Sequence, residues 1–231
     1  MEQKQKELYQ AHAQRLALML QNQTEEEFAD SRFQVLSELT RLRQLCCDPA
    51  LVYENYEGGS AKLDLCIELI QSAVESGHKI LLFSQFTSMI EILTARLQEE
   101  SISYFVLQGS TKKEQRAQMV EQFNRDDTSV FCISLKAGGT GLNLTGADIV
   151  IHYDPWWNVA VENQATDRAH RIGQKNVVTV YKLIAKGTIE EKIIKLQQMK
   201  KELAEEILAG DEIKTASFQR EELLALLEDR F

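Results

Sequence analysis

The chain has 231 residues, of which 44% are hydrophobic and 26% are charged. These values are typical of a globular protein, and the length allows one large domain or one domain with an appendage. The net charge of −9 argues against a general polyanion binder, so any nucleic-acid contact must come from a local basic surface. No apolar run reaches the roughly 18 residues of a membrane span, and the polar residues 1–6 do not start a signal peptide. We therefore expect a cytoplasmic or nuclear protein without a membrane partner.

The first 47 residues contain neither glycine nor proline and carry apolar residues at helical spacing. The pattern predicts two helices that join near residues 23–27, the second of which ends before Pro49. Glu57-Gly58-Gly59-Ser60 is the clearest linker signal in the chain. We therefore expect a helical appendage before the main domain.

Strand and helix patterns alternate after this linker. Strands are predicted at 79–84, 102–107, 130–134, 149–153 and 177–184, and helices at 62–76, 87–99, 112–124, 160–170, 188–208 and 221–228. The alternation predicts an α/β fold with a parallel sheet covered by helices on both faces. Ligands of such sheets bind beyond the carboxyl ends of the strands. That rule points to the segments 84–86, 108–111, 134–145 and 154–158.

The segment 134–145, with the sequence SLKAGGTGLNLT, follows a predicted strand directly and holds three glycines in four positions. Glycine allows close backbone approach, and exposed N–H groups in such a loop can bind an anion. One interpretation is phosphate contact, from DNA, from a nucleotide or from both. The other is a tight turn between a strand and a helix, and glycine spacing alone does not decide between them.

The run QATDRAHRIGQ, which begins at Gln164, carries the second signal. On a helix, Gln164, Arg168 and Arg171 would share one face. Two guanidinium groups can clamp a triphosphate and stabilise charge on a transferring phosphoryl group. The alternative is a solvated basic face that pairs with Glu162 or Asp167.

The run DPWWN at 154–158 holds both tryptophans. Asn158 is expected to cap the following helix, and at least one tryptophan is expected in the core, whereas the other could touch DNA. The sequence has no G-x-x-x-x-G-K-[S/T] motif and hence no P-loop. The four cysteines form no C-x-x-C pair and have no histidine at zinc spacing, so no metal site is predicted. Arginines that suit a triphosphate, without a motif that would hold one, indicate arginine fingers acting on a site supplied elsewhere.

Taken together, these segments resemble the motifs of Swi/Snf-type (sucrose-non-fermenting) helicase-like DNA translocases. The run ILLFSQF at 80–86 is similar to helicase motif IV, QGST at 108–111 to the next strand end, and 134–145 to motif V. The run DPWWN at 154–158 and the run 164–174 closely match the Swi/Snf form of motif VI and its lead-in. The chain thus resembles the C-terminal RecA-like motor lobe of this family, in its bacterial style.

The resemblance implies a RecA-like parallel sheet with helices on both faces. It places a helical protrusion and its lead-in at 1–57, the helicase C-terminal lobe at 58–187, and a brace helix with a tail at 188–231. It further implies three sets of site residues. The arginine fingers are Arg168 and Arg171. The ATP-binding residues are Gln164, Gly139, Gly141 and Asp167. The DNA-binding residues are Ser84, Gln85, Gly109, Ser110, Ser134, Lys136, Ala137, Gly138, Asn143, Leu144, Thr145 and Trp157.

The implied function is that of a remodeller-type, ATP-dependent translocase on double-stranded DNA. Its cofactor would be ATP with Mg²⁺, which a first lobe absent from this chain would hold. Its partners would be duplex DNA, its own N-terminal lobe and a DNA-bound protein cargo, in the bacterial nucleoid or the nucleus. The complete motor would be an ATP hydrolase, and the chain alone is expected to be inactive. Two alternatives stay open: a non-catalytic RecA-like interaction module, and a lobe of a helicase for RNA or single strands.

Overall fold

The computed structural model describes residues 1–135, 137, 142–169, 174, 176–207 and 220–227. The helices in these residues are α1 (Gln3–Gln21), α2 (Glu25–Cys47), α3 (Ala61–Glu75), α4 (Thr87–Glu99), α5 (Lys113–Arg125), α6 (Val159–Thr166), α7 (Ile189–Ile207) and α8 (Arg220–Leu227). The strands are β1 (Ile80–Ser84), β2 (Tyr104–Leu107), β3 (Val130–Ser134), β4 (Ile149–His152) and β5 (Thr179–Lys182). The chain divides into two compact units, one of residues 61–184 and one that joins residues 1–60 to 185–231.

The five strands form one parallel sheet in the order β2-β3-β1-β4-β5. Every residue of β1, β3 and β4 is buried, which explains why these strands read as unbroken apolar runs. The predicted α/β class with a parallel sheet is confirmed. From β1 the chain crosses to β2 at one edge of the sheet, and from β4 it continues to β5 at the other edge. The carboxyl ends of β1 and β4 therefore flank the point where the strand order reverses, the usual ligand crevice of such sheets.

Three phenylalanine rings contact one another in and beside this unit's core. The rings of Phe123 and Phe131 are 5.2 Å apart, and Phe105 meets Phe131 edge-on at 5.8 Å. Phe123 is the one fully buried residue of the polar helix α5, so it fixes that helix to the sheet. The four cysteines are buried free thiols, and burial raises the pKa of Cys132 to about 12.

The other unit joins the two ends of the described chain. Helix α2 starts with a capping box between Thr24 and Glu27 and ends at Cys47, before Pro49 as predicted. The hydroxyl of Tyr9 on α1 accepts a hydrogen bond of 2.7 Å from the backbone N–H of Ile189, at the start of α7. Helices α1 and α7 thus pack in one unit, although about 170 residues separate them in the sequence.

The apolar repeat at every third position of α2 is not buried along its whole length. Leu39, Leu42 and Leu45 are buried, whereas Phe33 is 91% exposed and Leu36 is 55% exposed. A spacing of three falls behind the helical period of 3.6, so the repeat winds away from the buried face. None of the helices in the described ranges is long and apolar enough to cross a membrane.

Candidate functional site

A buried carboxylate joins the carboxyl ends of β1 and β4. The hydroxyl of Ser84 donates a hydrogen bond of 2.5 Å to Oδ1 of Asp154, and the backbone N–H of Gln85 lies 3.3 Å from each carboxylate oxygen. Ser84 and Asp154 are fully buried. Charge-assisted bonds of this kind are short and strong, so Asp154 locks together the two strand ends that border the crevice. In this conformation the hydroxyl of Ser84, one of the predicted DNA-binding residues, points inward to Asp154, and its contact with DNA stays a prediction.

Lys62 on α3 supports the same strand end. Its Nζ donates to the carbonyl oxygen of Tyr153 at 3.3 Å and lies 5.5 Å from the centre of the Tyr153 ring. The side chain is almost wholly buried. The sequence does not indicate this role of Lys62, since one lysine in an amphipathic helix gives no signal of burial.

Glu162 on α6 holds the tryptophan loop. Its Oε1 accepts a 2.6 Å bond from the backbone N–H of Trp156, and its Oε2 accepts a 2.6 Å bond from Nζ of Lys182. The carboxylate is buried, so these partners offset the cost of removing its charge from water. Among the described residues Glu162 forms an ion pair with Lys182, and the alternative in which it also pairs with the basic run stays open. Trp156 packs against the core and Trp157 is half-buried, as expected for at least one tryptophan.

His152 ends β4 inside the unit. Its ring stacks on Phe83 at 5.5 Å, and its Nε2 lies 3.0 Å from the hydroxyl of Thr166. Burial lowers the pKa of His152 to about 4, with Glu162 raising it and Lys182 lowering it to smaller extents. His152 is therefore neutral at physiological pH and acts as a packed, hydrogen-bonded core residue.

The arginine-bearing segment leaves the helical path earlier than predicted. Asn158 caps α6 through the N–H of Ala160 at 2.9 Å, as expected, but the helix ends at Thr166 and residues 167–169 form a turn. The carbonyl of Arg168 accepts a 3.1 Å hydrogen bond from the N–H of Leu144. The helix predicted at 160–170 is therefore too long at its C-terminal end, and Arg168 lies in the turn beyond α6.

Gln174 strengthens the link between these two loops. Its Nε2 lies 2.7 Å from the carbonyl oxygen of Ala147, 3.1 Å from that of Ala169 and 3.3 Å from that of Thr145. Its Oε1 accepts a bond of 2.9 Å from the N–H of Asn176. One side-chain amide thus connects the end of the segment that resembles motif V to the turn that carries Arg168.

The predicted site residues differ in their exposure to solvent. The exposed ones are Gly109, Ser110, Asn143, Gln164 and Asp167. The half-buried ones are Gln85, Thr145 and Trp157. The buried ones are Ser84, Ser134, Ala137, Leu144 and Arg168. The side chains of Ser84, Ser134 and Leu144 are thus buried in this conformation, and their contact with DNA stays a prediction. Outside the described residues lie Lys136, Gly138, Gly139, Gly141 and Arg171.

The sequence and the fold are similar to those of known proteins. Residues 61–173 match the helicase conserved C-terminal domain. The C-terminal domain of a Sulfolobus solfataricus SWI2/SNF2 ATPase superposes with a TM-score of 0.78 and 31% identity, over 99% of this chain and 94% of that one. The ATPase core of that organism's SWI2/SNF2 protein, solved in complex with dsDNA, gives a TM-score of 0.75 and 33% identity, over 88% of this chain and 43% of the other.

Fold and motif-bearing loops thus define a C-terminal lobe of the helicase type. The chain belongs to the SWI2/SNF2 family of ATPases. It is also 45% identical, over 86% of its length, to an ATP-dependent helicase of Mycoplasma pneumoniae that is described as uncharacterized and of which it covers 19%. The chain spans about a fifth of the length of the first curated relatives it matches.

Proposed function

We propose that this chain is the C-terminal motor lobe of an ATP-dependent translocase on double-stranded DNA. It would supply arginine fingers and DNA-backbone contacts to an ATP site completed by an N-terminal lobe. The observation that carries the proposal is the bonding of Leu144 N to Arg168 O, reinforced by Gln174. It ties the segment that resembles motif V, the candidate DNA-contact loop, to the turn that bears a candidate finger.

The nucleotide would be held mainly by the other lobe. The sequence has no P-loop, and no group of three or more acidic, histidine or cysteine side chains among the described residues could hold a metal ion. Mg²⁺ would therefore be bound by the N-terminal lobe together with the phosphates of ATP. Bound ATP with Mg²⁺ supplies the phosphoryl group and neutralises much of its charge. This lobe adds positive charge next to the γ-phosphate when the cleft closes.

The burial of Arg168 adds a conformational requirement to this mechanism. Its side chain is 2% exposed in the present conformation, so a triphosphate approaching from solvent would not reach it. Assembly with the second lobe would have to open the turn at 167–169. The hydrogen bond between Leu144 and Arg168 would change when this turn opens. That change would couple ATP binding at the turn to DNA contact by the loop of Leu144.

Replacement of the candidate finger tests the catalytic part of the proposal. In the longer protein that includes a P-loop lobe, Arg168→Ala and Arg168→Lys should lower ATP turnover by about 10³-fold, because the charge beside the γ-phosphate is lost or misplaced. Duplex binding should change little. The same loss is expected for Arg171→Ala. Arg125→Ala is the matched control, since Arg125 is a highly exposed arginine on α5 that pairs with Glu121. A finger variant within threefold of wild-type turnover would end the finger assignment.

The salt dependence of DNA binding tests the second part of the proposal. Lys136→Ala should weaken duplex binding and reduce the slope of log K against log[salt] by about one, as expected when one phosphate contact is lost. Lys6→Ala, an exposed lysine on α1, is the control and should leave the slope unchanged. An unaltered slope for Lys136→Ala would remove Lys136 from the DNA surface. Competition between duplex DNA, single-stranded DNA and RNA in the same assay separates the translocase from a helicase acting on RNA or single strands.

A further inference from the structure

Helix α5 contacts the loop that follows β2 through Arg116. Its Nε donates to the carbonyl oxygen of Thr111 at 2.8 Å, and its Nη2 lies 3.3 Å from that of Gln108 and 3.2 Å from that of Gly109. A guanidinium group presents five N–H donors in a rigid fork, and here it gathers several carbonyls of one turn. Arg116 therefore fixes the shape of the turn that carries Gly109 and Ser110.

The same guanidinium extends to the start of the glycine-rich segment. Nη1 of Arg116 lies 3.5 Å from the carbonyl oxygen of Ala137, a long contact compared with the others. Ala137 is buried and belongs to the core cluster. The first end of the segment is thus held by packing and by α5.

Asn124, near the other end of α5, holds the far end of the segment. Its Nδ2 donates to the carbonyl oxygen of Asn143 at 2.8 Å, and its Oδ1 accepts from the N–H of Gly146 at 2.9 Å. Both halves of the amide are used, and they bracket residues 144 and 145. Leu144 is the residue whose N–H bonds to Arg168.

The glycine at position 146 gives an independent reason to regard this contact as built in. A Cβ at Gly146 would lie 2.9 Å from Oδ1 and 3.1 Å from Cα of Asn124. The first distance would force the Asn124 amide to shift, and the second leaves little room at the backbone. The chain can therefore come this near to α5 because residue 146 has no side chain.

Helix α5 is itself anchored at this end. Nζ of Lys79, just before β1, donates to the carbonyl oxygens of Phe123 and, at 2.6 Å, of Asp126, and it lies 4.4 Å from the centre of the Phe123 ring. These contacts occupy carbonyls that the end of a helix otherwise leaves unsatisfied. The end of α5 that carries Asn124 is thus held in place by Lys79.

We infer that Asn124 is a positioning residue, which fixes residues 143–146 from α5, as Arg116 fixes the turn 108–111, and so sets the geometry of this loop for DNA-stimulated ATP hydrolysis. The inference rests on the proposed function. A loop fixed by the protein itself leaves less conformational freedom for DNA binding to remove. Asn124 touches neither ATP nor the reacting atoms in this scheme.

Asn124→Asp, in the longer protein with its P-loop lobe, is the first test. Aspartate keeps the acceptor for Gly146 but replaces the donor by an oxygen that faces the Asn143 carbonyl. The duplex concentration needed for half-maximal ATPase stimulation should rise on the order of tenfold, the effect of losing one such hydrogen bond. Turnover at saturating duplex should fall by less than about threefold, since the arginines are untouched. Gln122→Glu, an exposed position on the same helix, is the control matched in charge and should change neither value.

A second variant keeps the inference falsifiable if aspartate disturbs folding. Gly146→Ala adds no charge but pushes the Asn124 amide away, and it should raise the half-maximal duplex concentration in the same direction. Half-maximal concentrations unchanged in both variants would overturn the inference. The inference would also be overturned if unstimulated and stimulated turnover fell by the same factor and the melting temperature fell as well, because that pattern would mean a purely structural role. A wild-type protein without DNA-stimulated turnover would instead overturn the proposed function.

Discussion

The ring of His152 lies between Phe83 and Thr166, with its pKa lowered to about 4 mainly by burial. The unfolded chain binds a proton on this histidine near pH 6.5, whereas the folded chain does not. The contribution of the neutral ring to stability is therefore fully present above about pH 6.5 and is lost as the pH falls to about 4. The difference between the two values corresponds to about 3 kcal/mol of unfolding free energy.

Urea unfolding between pH 7 and pH 4.5 measures this effect. Wild type should lose stability more steeply than His152→Gln, which cannot take up the proton. His78→Gln is the control, because the His78 side chain is 45% exposed and lies outside the buried surroundings of His152. Parallel curves for wild type and His152→Gln would show that other groups govern the pH dependence.

At the level of single elements, the start of α7 is stabilised by neighbouring residues and by one acceptor that lies 180 residues away in the sequence. Thr188 caps it by accepting from the N–H of Glu190 at 3.2 Å and donating to the carbonyl of Ala185 at 2.6 Å. Tyr9 accepts from the N–H of Ile189 at 2.7 Å. The first turn of a helix has N–H groups without helical partners, and Tyr9 satisfies one of them.

Tyr9→Phe should therefore leave a buried N–H without this acceptor and lower the unfolding free energy by about 1–3 kcal/mol. Amide hydrogen exchange in the first turn of α7 should accelerate with it. Tyr53→Phe is the control in the same unit, since its hydroxyl meets His12 in a more exposed place. Equal losses for the two variants would contradict a specific role of Tyr9 at this helix start.

The sequence predicts the helices and strands better than it predicts which distant residues form hydrogen bonds with one another. The strands were found because parallel strands buried on both faces are continuous apolar runs, and the start of α6 because Asn158 is a typical cap. The early end of α6 was missed, since it depends on a bond between Arg168 and Leu144. The inward turn of Ser84 was missed as well, because its partner Asp154 lies 70 residues away. No local spacing encodes such pairs.

For the whole molecule, the proposed ATP site needs residues from two lobes, and this predicts how activity depends on the second lobe. This chain has no P-loop, so ATP turnover with duplex DNA present should be negligible. The same chain extended through a P-loop lobe should hydrolyse ATP. The comparison needs a steady-state assay on both proteins at equal concentration. Turnover by this chain alone would require a nucleotide site within it, and the two-lobe mechanism would have to be abandoned.

The unit that joins residues 1–60 to 185–231 also has a consequence during protein synthesis. Helices α1 and α2 are synthesised before α7 and α8, which complete the same unit and are made only after the whole of 61–184. At ordinary rates of elongation, this delay is on the order of 10 s. During that time, side chains that end up buried on α1, such as Tyr9 and Leu20, have no completed unit to enter. The nascent chain should therefore be a substrate for chaperones that bind exposed apolar helices until α7 emerges.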